Sequence, residues 1–330
     1  MKRLPKLMIA LGAVAMALTA CSPATGGNAQ QSAAANGELR QVNIGAVPVV
    51  DVAALYVGEK QGYFEDEGLK LNIQFGQGSA AMIPSLLNGQ FDMLYGGSVN
   101  MLQAAGQDLP IQAVAVGGRT TGVVGKDHGG VLVLPESGIE NAADLEGKKV
   151  AVNALRGLHE VSLWAAIRKA GGDPKKVTFL EMPLPDMGAA LEAGRIDAAS
   201  TSEPFLGVIE GDGAKNIASL YAEADPNFVT ATYFTSTKVT ETDPEFVKAF
   251  VRALEKSFAY ADANPDAVRA ELGNFTKIDP ALIDSMTLTS FKWGLTTDDV
   301  RLIAKLAADA ESLDDADKAT EAVTAFLNKQ

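Results

Sequence analysis

Six short segments gather the residues that could hold a small molecule, and each follows an apolar run. They are Pro48-Val49-Val50-Asp51, Gly76-Gln77-Gly78-Ser79, Gly96-Gly97-Ser98-Val99-Asn100, Asn153-Ala154-Leu155-Arg156-Gly157, Pro183-Leu184-Pro185-Asp186-Met187 and Ser200-Thr201-Ser202-Glu203-Pro204. At the carboxyl end of a strand and the start of a helix, small residues leave backbone N–H groups free beside a positive dipole end. A single Ser or Asp there is as readily an N-cap contributing about 1 kcal/mol. Six such points facing one cleft point to ligand binding instead. The candidate ligand residues are Val49, Val50, Asp51, Gly78, Ser79, Gly97, Ser98, Asn153, Arg156, Asp186, Met187 and Glu203. Arg156 can clamp a carboxylate, sulfonate or phosphate, or pair with Glu160 one turn on. Asp51 can accept from a ligand amine or hydroxyl, or act as a cap, and Glu203 before Pro204 can simply open a helix. Val49, Val50, Leu155 and Met187 offer apolar walls, which favours a solute larger than nitrate.

Covalent chemistry has little to work with. There is no G-x-S-x-G elbow, no phosphate-binding G-x-x-x-x-G-K-[ST], no H-E-x-x-H and no C-x-x-C. The two histidines, His128 and His159, lie on separate segments and are too few for a histidine-rich metal centre. Gly76-Gln77-Gly78-Ser79-Ala80-Ala81 fits G-x-G-x-x-A, but it follows the second strand and Pro84 interrupts its helix, so dinucleotide binding is not expected. No cofactor, no metal and no catalytic residue are expected.

The elements that must position these segments alternate. Val42–Val47 reads as a buried strand and Leu69–Phe75 as a strand of period two, with helical patterns over 51–64 and 80–87. Strands at 92–95 and 111–116 and a helix over 98–105 follow. The alternation starts again with apolar Val131–Leu134, strands at 150–152, 177–180 and 196–199, and helices over 158–169 and 187–193. Short loops between strand and helix demand parallel pairing, so two α/β lobes are expected, each a mostly parallel sheet flanked by helices. Beyond a β-branched and aromatic run at 228–235 everything reads as helix. Asp243-Pro244-Glu245 supplies an N-cap, an N1 proline and a first-turn acid, and Phe246, Phe250, Leu254 and Phe258 recur every four residues. Asp279-Pro280 and Thr296-Thr297-Asp298-Asp299 open further helices. Such a set cannot form a lobe alone and is expected to pack back on the first.

The amino end carries a different signal. Lys2, Arg3 and Lys6 precede an apolar run, Leu7–Ala17, and the only cysteine, Cys21, follows Leu18-Thr19-Ala20. This resembles the lipobox of bacterial lipoproteins, which implies cleavage before Cys21 and a diacylglyceryl group on its thiol. Two or more acyl chains anchor a domain stably where one does not. Residues 22–39 have the small, polar composition of a flexible tether. The chain of 330 residues is 47% hydrophobic and carries a formal charge of −13; the leader takes three cations with it, leaving −16. Charge of this sign opposes a polyanion, so no nucleic-acid partner is expected.

With these residues in view, the chain resembles the solute-binding proteins of the nitrate/sulfonate/taurine and thiamine-precursor group that serve ABC importers. The resemblance runs from about Gln41 to the last helices. It is carried by Leu55-Tyr56-Val57-Gly58-Glu59-Lys60-Gln61-Gly62-Tyr63-Phe64-Glu65-Asp66-Glu67-Gly68-Leu69, by Leu87–Asp92, by Asp144–Val150 and by Ala190–Ala198 leading into Glu203-Pro204-Phe205. It implies a two-lobe, type II periplasmic-binding-protein fold with crossovers near Val131 and Phe228, closing by hinge motion over a small solute. The implied division is a signal peptide to Cys21, a tether over 22–39, a discontinuous first lobe of 40–130 and 229–330, and a second lobe of 131–228. The implied partners are an ABC permease with its ATPase, and the membrane through the lipid on Cys21; a monomer outside the cytoplasm is expected. Sulfonate, nitrate or taurine, aromatic carboxylate and thiamine-precursor pyrimidine all fit as solutes. A hydrolase or transferase on the same fold and a sensory lipoprotein are the alternatives. Related fungal proteins that make the thiamine pyrimidine carry a cysteine-rich motif, and this chain has no cysteine after Cys21.

Overall fold

The computed structural model describes residues 38–329, so the leader, Cys21 and residues 22–37 of the tether lie outside the described residues. β1 (Arg40–Ala46) leads through a short 3-10 turn into α1 (Ala53–Lys60) and α2 (Tyr63–Asp66). β2 (Leu69–Phe75), α3 (Ser79–Leu87), β3 (Met93–Gly97), α4 (Ser98–Gly106) and β4 (Ile111–Arg119) follow. After a crossover come β5 (Gly129–Val133), β6 (Lys149–Val152), α5 (Leu158–Lys169), β7 (Thr178–Glu181), α6 (Met187–Glu192), β8 (Ala198–Ser202), α7 (Phe205–Gly211), β9 (Lys215–Ser219) and α8 (Leu220–Ala224). The chain returns through β10 (Val229–Ser236) and ends in α9 (Thr237–Thr242), α10 (Pro244–Ala263), α11 (Pro265–Phe275), α12 (Pro280–Ser285), α13 (Thr297–Asp309) and α14 (Ala316–Thr324).

Two five-stranded sheets result, ordered β2-β1-β3-β10-β4 and β7-β6-β8-β5-β9. Each sheet is mostly parallel, as expected, with one strand running against the other four. β1 pairs in parallel with β2 and β3, and β6 with β7 and β8, but β10 runs antiparallel to β3 and β4, and β5 to β8 and β9. The antiparallel members are the two strands that carry the chain from one sheet to the other. Each arrives from the other sheet rather than through a βαβ unit within its own, so no right-handed crossover holds it parallel to its neighbours. β4 and β10 are buried along almost their whole length, as strands covered on both faces must be. The sequence also left α7, β9 and α8 unread, because segments this short show no period.

The carboxyl-terminal helices pack on the first sheet's helices. α10 opens as its sequence dictates: the Asp243 side chain accepts from Phe246 N–H, Pro244 follows, and Phe246, Phe250, Leu254 and Phe258 are buried. A Cβ on Gly58 would sit 2.0 Å from Ser257 Oγ, so glycine is what lets α1 approach α10 this closely. α13 starts with a capping box between Thr296 and Asp299.

Glu203 sits where the two lobes join. Its N–H donates to His128 O (2.8 Å), and its carbonyl accepts from Val50 N–H (3.3 Å). Its carboxylate accepts from Gly207 N–H (2.9 Å) in its own lobe and from Thr287 N–H (3.1 Å) in the segment after α12. Burial raises its pKa from 4.5 to about 7 despite these two donors. Because the folded value lies above the unfolded one, the folded state holds more protons between pH 4.5 and 7, and stability falls as pH rises through that window. Glu203→Gln should therefore flatten the decline in unfolding free energy between pH 5 and 7 by about 2–3 kcal/mol in urea titrations. An unchanged slope would show that this carboxyl is not held protonated by burial.

Candidate ligand cleft

The loops at the carboxyl ends of both sheets meet around one small cavity. It offers about 50 Å³ to the centre of a water-sized sphere, against the roughly 10–15 Å³ that one water needs. Lobe one contributes Val47, Val49, Asp51, Ser79, Tyr95, Gly97 and Asn100, with Thr230 and Ala231 from β10; the other side contributes His128, Asn153, Ala154, Leu158, His159, Leu184, Ser202 and Tyr221. α3, α4 and α5 all point their amino ends here through Ser79, Gly97 and Leu158, and none of the three has a side-chain cap. Their first N–H groups are thus available to ligand acceptors.

The opposite chemistry sits beside these donors. Asp51 is 3% exposed, and its Oδ1 has no hydrogen-bond partner. Burial raises its pKa, opposed by the charge of His128 and by the Thr289 and Tyr95 hydroxyls. Strand β4 carries Gly118 at this point, and a Cβ there would lie 1.8 Å from Asp51 Oδ1, so only glycine leaves room for the carboxylate. His128 Nε2 lies 3.8 Å from Asp51 Oδ1, and its Nδ1 is 3.3 Å from Asp127 Oδ1, too oblique for a well-formed hydrogen bond. Burial works against a charge on His128, but Asp51, Asp127 and Glu203 outweigh it and raise its pKa above 6.5.

Asp127 fixes the geometry of this end. Its Oδ1 accepts from Thr120 Oγ1, Thr121 N–H and His128 N–H, and its Oδ2 accepts from Tyr221 and Ala222 N–H at 3.1 and 2.6 Å. One carboxylate thereby ties the crossover to the first turn of α8 and aims Tyr221. The Tyr221 hydroxyl lies 2.5 Å from Ser202 Oγ, which lies 2.8 Å from His159 Nε2. Tyr221 also packs between the two imidazoles, with ring centroids 5.0 Å from His128 and 6.1 Å from His159. Burial, with the His128 charge, pushes the pKa of His159 down to about 4, so this ring is neutral and serves as a hydrogen-bonding group.

Of the candidates read from sequence, Val49, Asp51, Ser79, Gly97 and Asn153 line the cavity. The others lie elsewhere. Val50 and Met187 are fully buried in the core, and Leu158 and Leu184 take the role of apolar wall that was expected of Val50, Leu155 and Met187. Ser98 Oγ donates to Val229 O (2.7 Å), within the fold. Gly78 sits at the rim opposite Asn153, Asp186 is exposed, and Glu203 is committed to the lobe junction. Arg156 is at the mouth: its Nη2 donates to Glu311 O (2.6 Å), while Glu160 accepts its backbone N–H. Asp51 does not act as a cap either.

Tyr95, Asn100, His128, His159, Ser202, Tyr221 and Thr230 line the cavity and were not singled out as ligand residues. The histidines were set aside because they stand 31 positions apart in the chain; the crossover and α5 bring them to one tyrosine. Tyr221 falls in a segment without readable period. Among the described residues, no group of three or more His, Cys, Asp or Glu is placed to hold a metal ion.

The lobes touch at the mouth. Asn153 Nδ2 donates to Gln77 O (2.9 Å), and the Arg156 carbonyl accepts from Gln103 Nε2 (2.8 Å) and from Ser312 Oγ. These contacts bridge the two lobes across the mouth of the cleft.

Comparison with known proteins places this cleft in a family. A formylaminopyrimidine-binding protein of Halalkalibacterium halodurans is 26% identical over 217 residues, 64% of this chain and 63% of the relative, so the match spans just under two thirds of that protein's length. A putative aliphatic sulfonates-binding protein of Bacillus subtilis is 24% identical over 85% of this chain and 81% of its own. The crystal structure of the alkanesulfonate-binding protein SsuA from Xanthomonas axonopodis pv. citri, bound to MOPS, superposes with a TM-score of 0.72 at 19% identity over 87% of this chain and 98% of that one; this likeness shows the fold. Residues 49–268, well over half of the chain, match the model of the NMT1/THI5-like family, and the chain belongs to that family.

Proposed function

We propose that this chain is the solute-capturing component of an ABC importer, holding a small polar organic molecule in the cleft and presenting its closed form to a permease and its ATPase. The observation that carries this reading is the cavity between the two sheets, lined by polar groups from both and bridged at its mouth. A solute that contacts both lobes binds the closed state better than the open one, and that difference in affinity is what shifts the equilibrium. The relatives are binding proteins, and this chain is read as one, with no chemistry of its own. The location that goes with this role is outside the cytoplasm. The leader supports anchoring there through a lipid on Cys21, the folded part acting as a monomer on its tether.

Three outcomes are expected. In a thermal-shift screen of amines, amino-heterocycles, carboxylates and sulfonates, a true solute at 100 times its Kd adds about 2.7 kcal/mol, raising Tm by about 5 °C or more; a screen in which no class moves Tm would count against capture. Arg156→Ala or Ser312→Ala removes interlobe hydrogen bonds without touching the cavity wall. Either should weaken solute binding roughly 2- to 10-fold in calorimetry, whereas unchanged affinity would show that the mouth contacts do not hold the closed state. Cys21→Ser in the full chain should abolish incorporation of labelled fatty acid, and a variant labelled as strongly as wild type would refute the lipid on Cys21.

A further inference from the structure

Three side chains of lobe two form a hydrogen-bonded row in the cavity wall: the Tyr221 hydroxyl of α8, the Ser202 hydroxyl at the end of β8 and the His159 ring in the first turn of α5. The Tyr221 hydroxyl lies 2.5 Å from Ser202 Oγ, which lies 2.8 Å from His159 Nε2. Distances alone do not place the hydrogens, since each hydroxyl can donate or accept and a neutral imidazole has two tautomers. Counting donors does. Tyr221 is 1% exposed and Ser202 5%, and among the described residues neither hydroxyl has a hydrogen-bond partner outside the row. With the ring proton on Nε2, Ser202 would have to accept it, and either the Tyr221 or the Ser202 hydrogen would be buried without an acceptor, at a cost of about 1–3 kcal/mol. With Tyr221 donating to Ser202 and Ser202 donating to Nε2, every hydrogen of the row is used. The ring proton then sits on Nδ1.

The row is held in place by the fold of lobe two alone. Asp127 fixes the start of α8 through the Tyr221 and Ala222 N–H groups, and Ser202 is paired within its sheet opposite Gly129. A Cβ on Gly129 would lie 2.3 Å from the Tyr221 ring, so the absent side chain is what lets the ring lie beside Ser202. Among the described residues His159 Nδ1 has no protein partner, and it keeps access to the cavity that the ring lines.

We propose that Ser202, itself oriented by Tyr221, is a positioning residue that locks His159 as its Nδ1–H tautomer, so that lobe two always meets the solute with a hydrogen-bond donor at this point. The role of that donor rests on the capture reading; the lock itself exists in the chain without solute. An imidazole free to exchange tautomers would accept either kind of solute atom. A locked one satisfies an acceptor and leaves a donor facing a donor, which forfeits a buried hydrogen bond. Burial and the neighbouring His128 charge keep the ring neutral, so the donor persists unchanged at neutral pH.

Long-range nitrogen–proton correlation spectra of the nitrogen-15-labelled chain, recorded at neutral pH without solute, read the tautomer directly, because protonated and bare ring nitrogens resonate far apart. The chain has two histidines, and His159→Gln shows which pair of signals belongs to this ring. The wild type should show a protonated Nδ1 and a bare Nε2. Ser202→Ala removes the donor to Nε2, and the Nε2 signal should move towards the protonated position. A wild-type ring protonated on Nε2, or averaging between the two forms, would overturn the proposal, and that spectrum needs no variant. A folded Ser202→Ala chain with unmoved His159 signals would overturn it as well. Neither result touches the capture reading, which falls only if the screen finds no binder.

Discussion

A carboxylate kept away from water must be neutralised, hydrogen-bonded or held at a cost, and Asp51 is placed so that the protein alone does none of these completely. Everything around it fits that constraint. Gly118 gives the oxygen space, His128 stands beside it without reaching hydrogen-bond distance, and the rest of the cavity wall offers donors from helix ends rather than cationic side chains. Asp51 Oδ1 is left without a hydrogen-bond partner among the described residues.

Holding such a group requires a scaffold that excludes water from both sides. Two sheets of mixed sense do this because the strands that pass between them, β5 and β10, are antiparallel members buried within each sheet. The crossover that precedes β5 also carries Asp127 and His128, so the connection between the sheets and the cavity wall share a segment. Asp127 couples the crossover backbone to the start of α8 through five hydrogen bonds, which places Tyr221 as well. Asp127 thereby fixes the crossover and the Tyr221 side chain together, and rigid strands supply the precision that loops alone would lack.

Much of the scaffold was legible in the chain because it rests on local patterning. The alternation of Leu69–Phe75 is β2, the run Leu158–Lys169 is α5, and Asp243-Pro244-Glu245 opens α10. The two antiparallel members, β5 and β10, were not, since their sense depends on which strands cross between sheets. The site was half legible. Asp51, Ser79, Gly97 and Asn153 follow from their places after strands, and the structure brings them to one cavity. Arg156 could be an anion clamp or a partner of Glu160 by residue type; its side chain instead donates to Glu311 O at the mouth, while Glu160 accepts its backbone N–H. His128, His159 and Tyr221 come together only through the crossover and α8, so no spacing in the sequence announces them.

The most direct measurement is a crystal structure of the protein with the solute that stabilises it most. The account predicts density in the cavity between the two sheets, with the solute in contact with residues of both lobes. Density for that solute outside this cavity, or against one lobe alone, would contradict it.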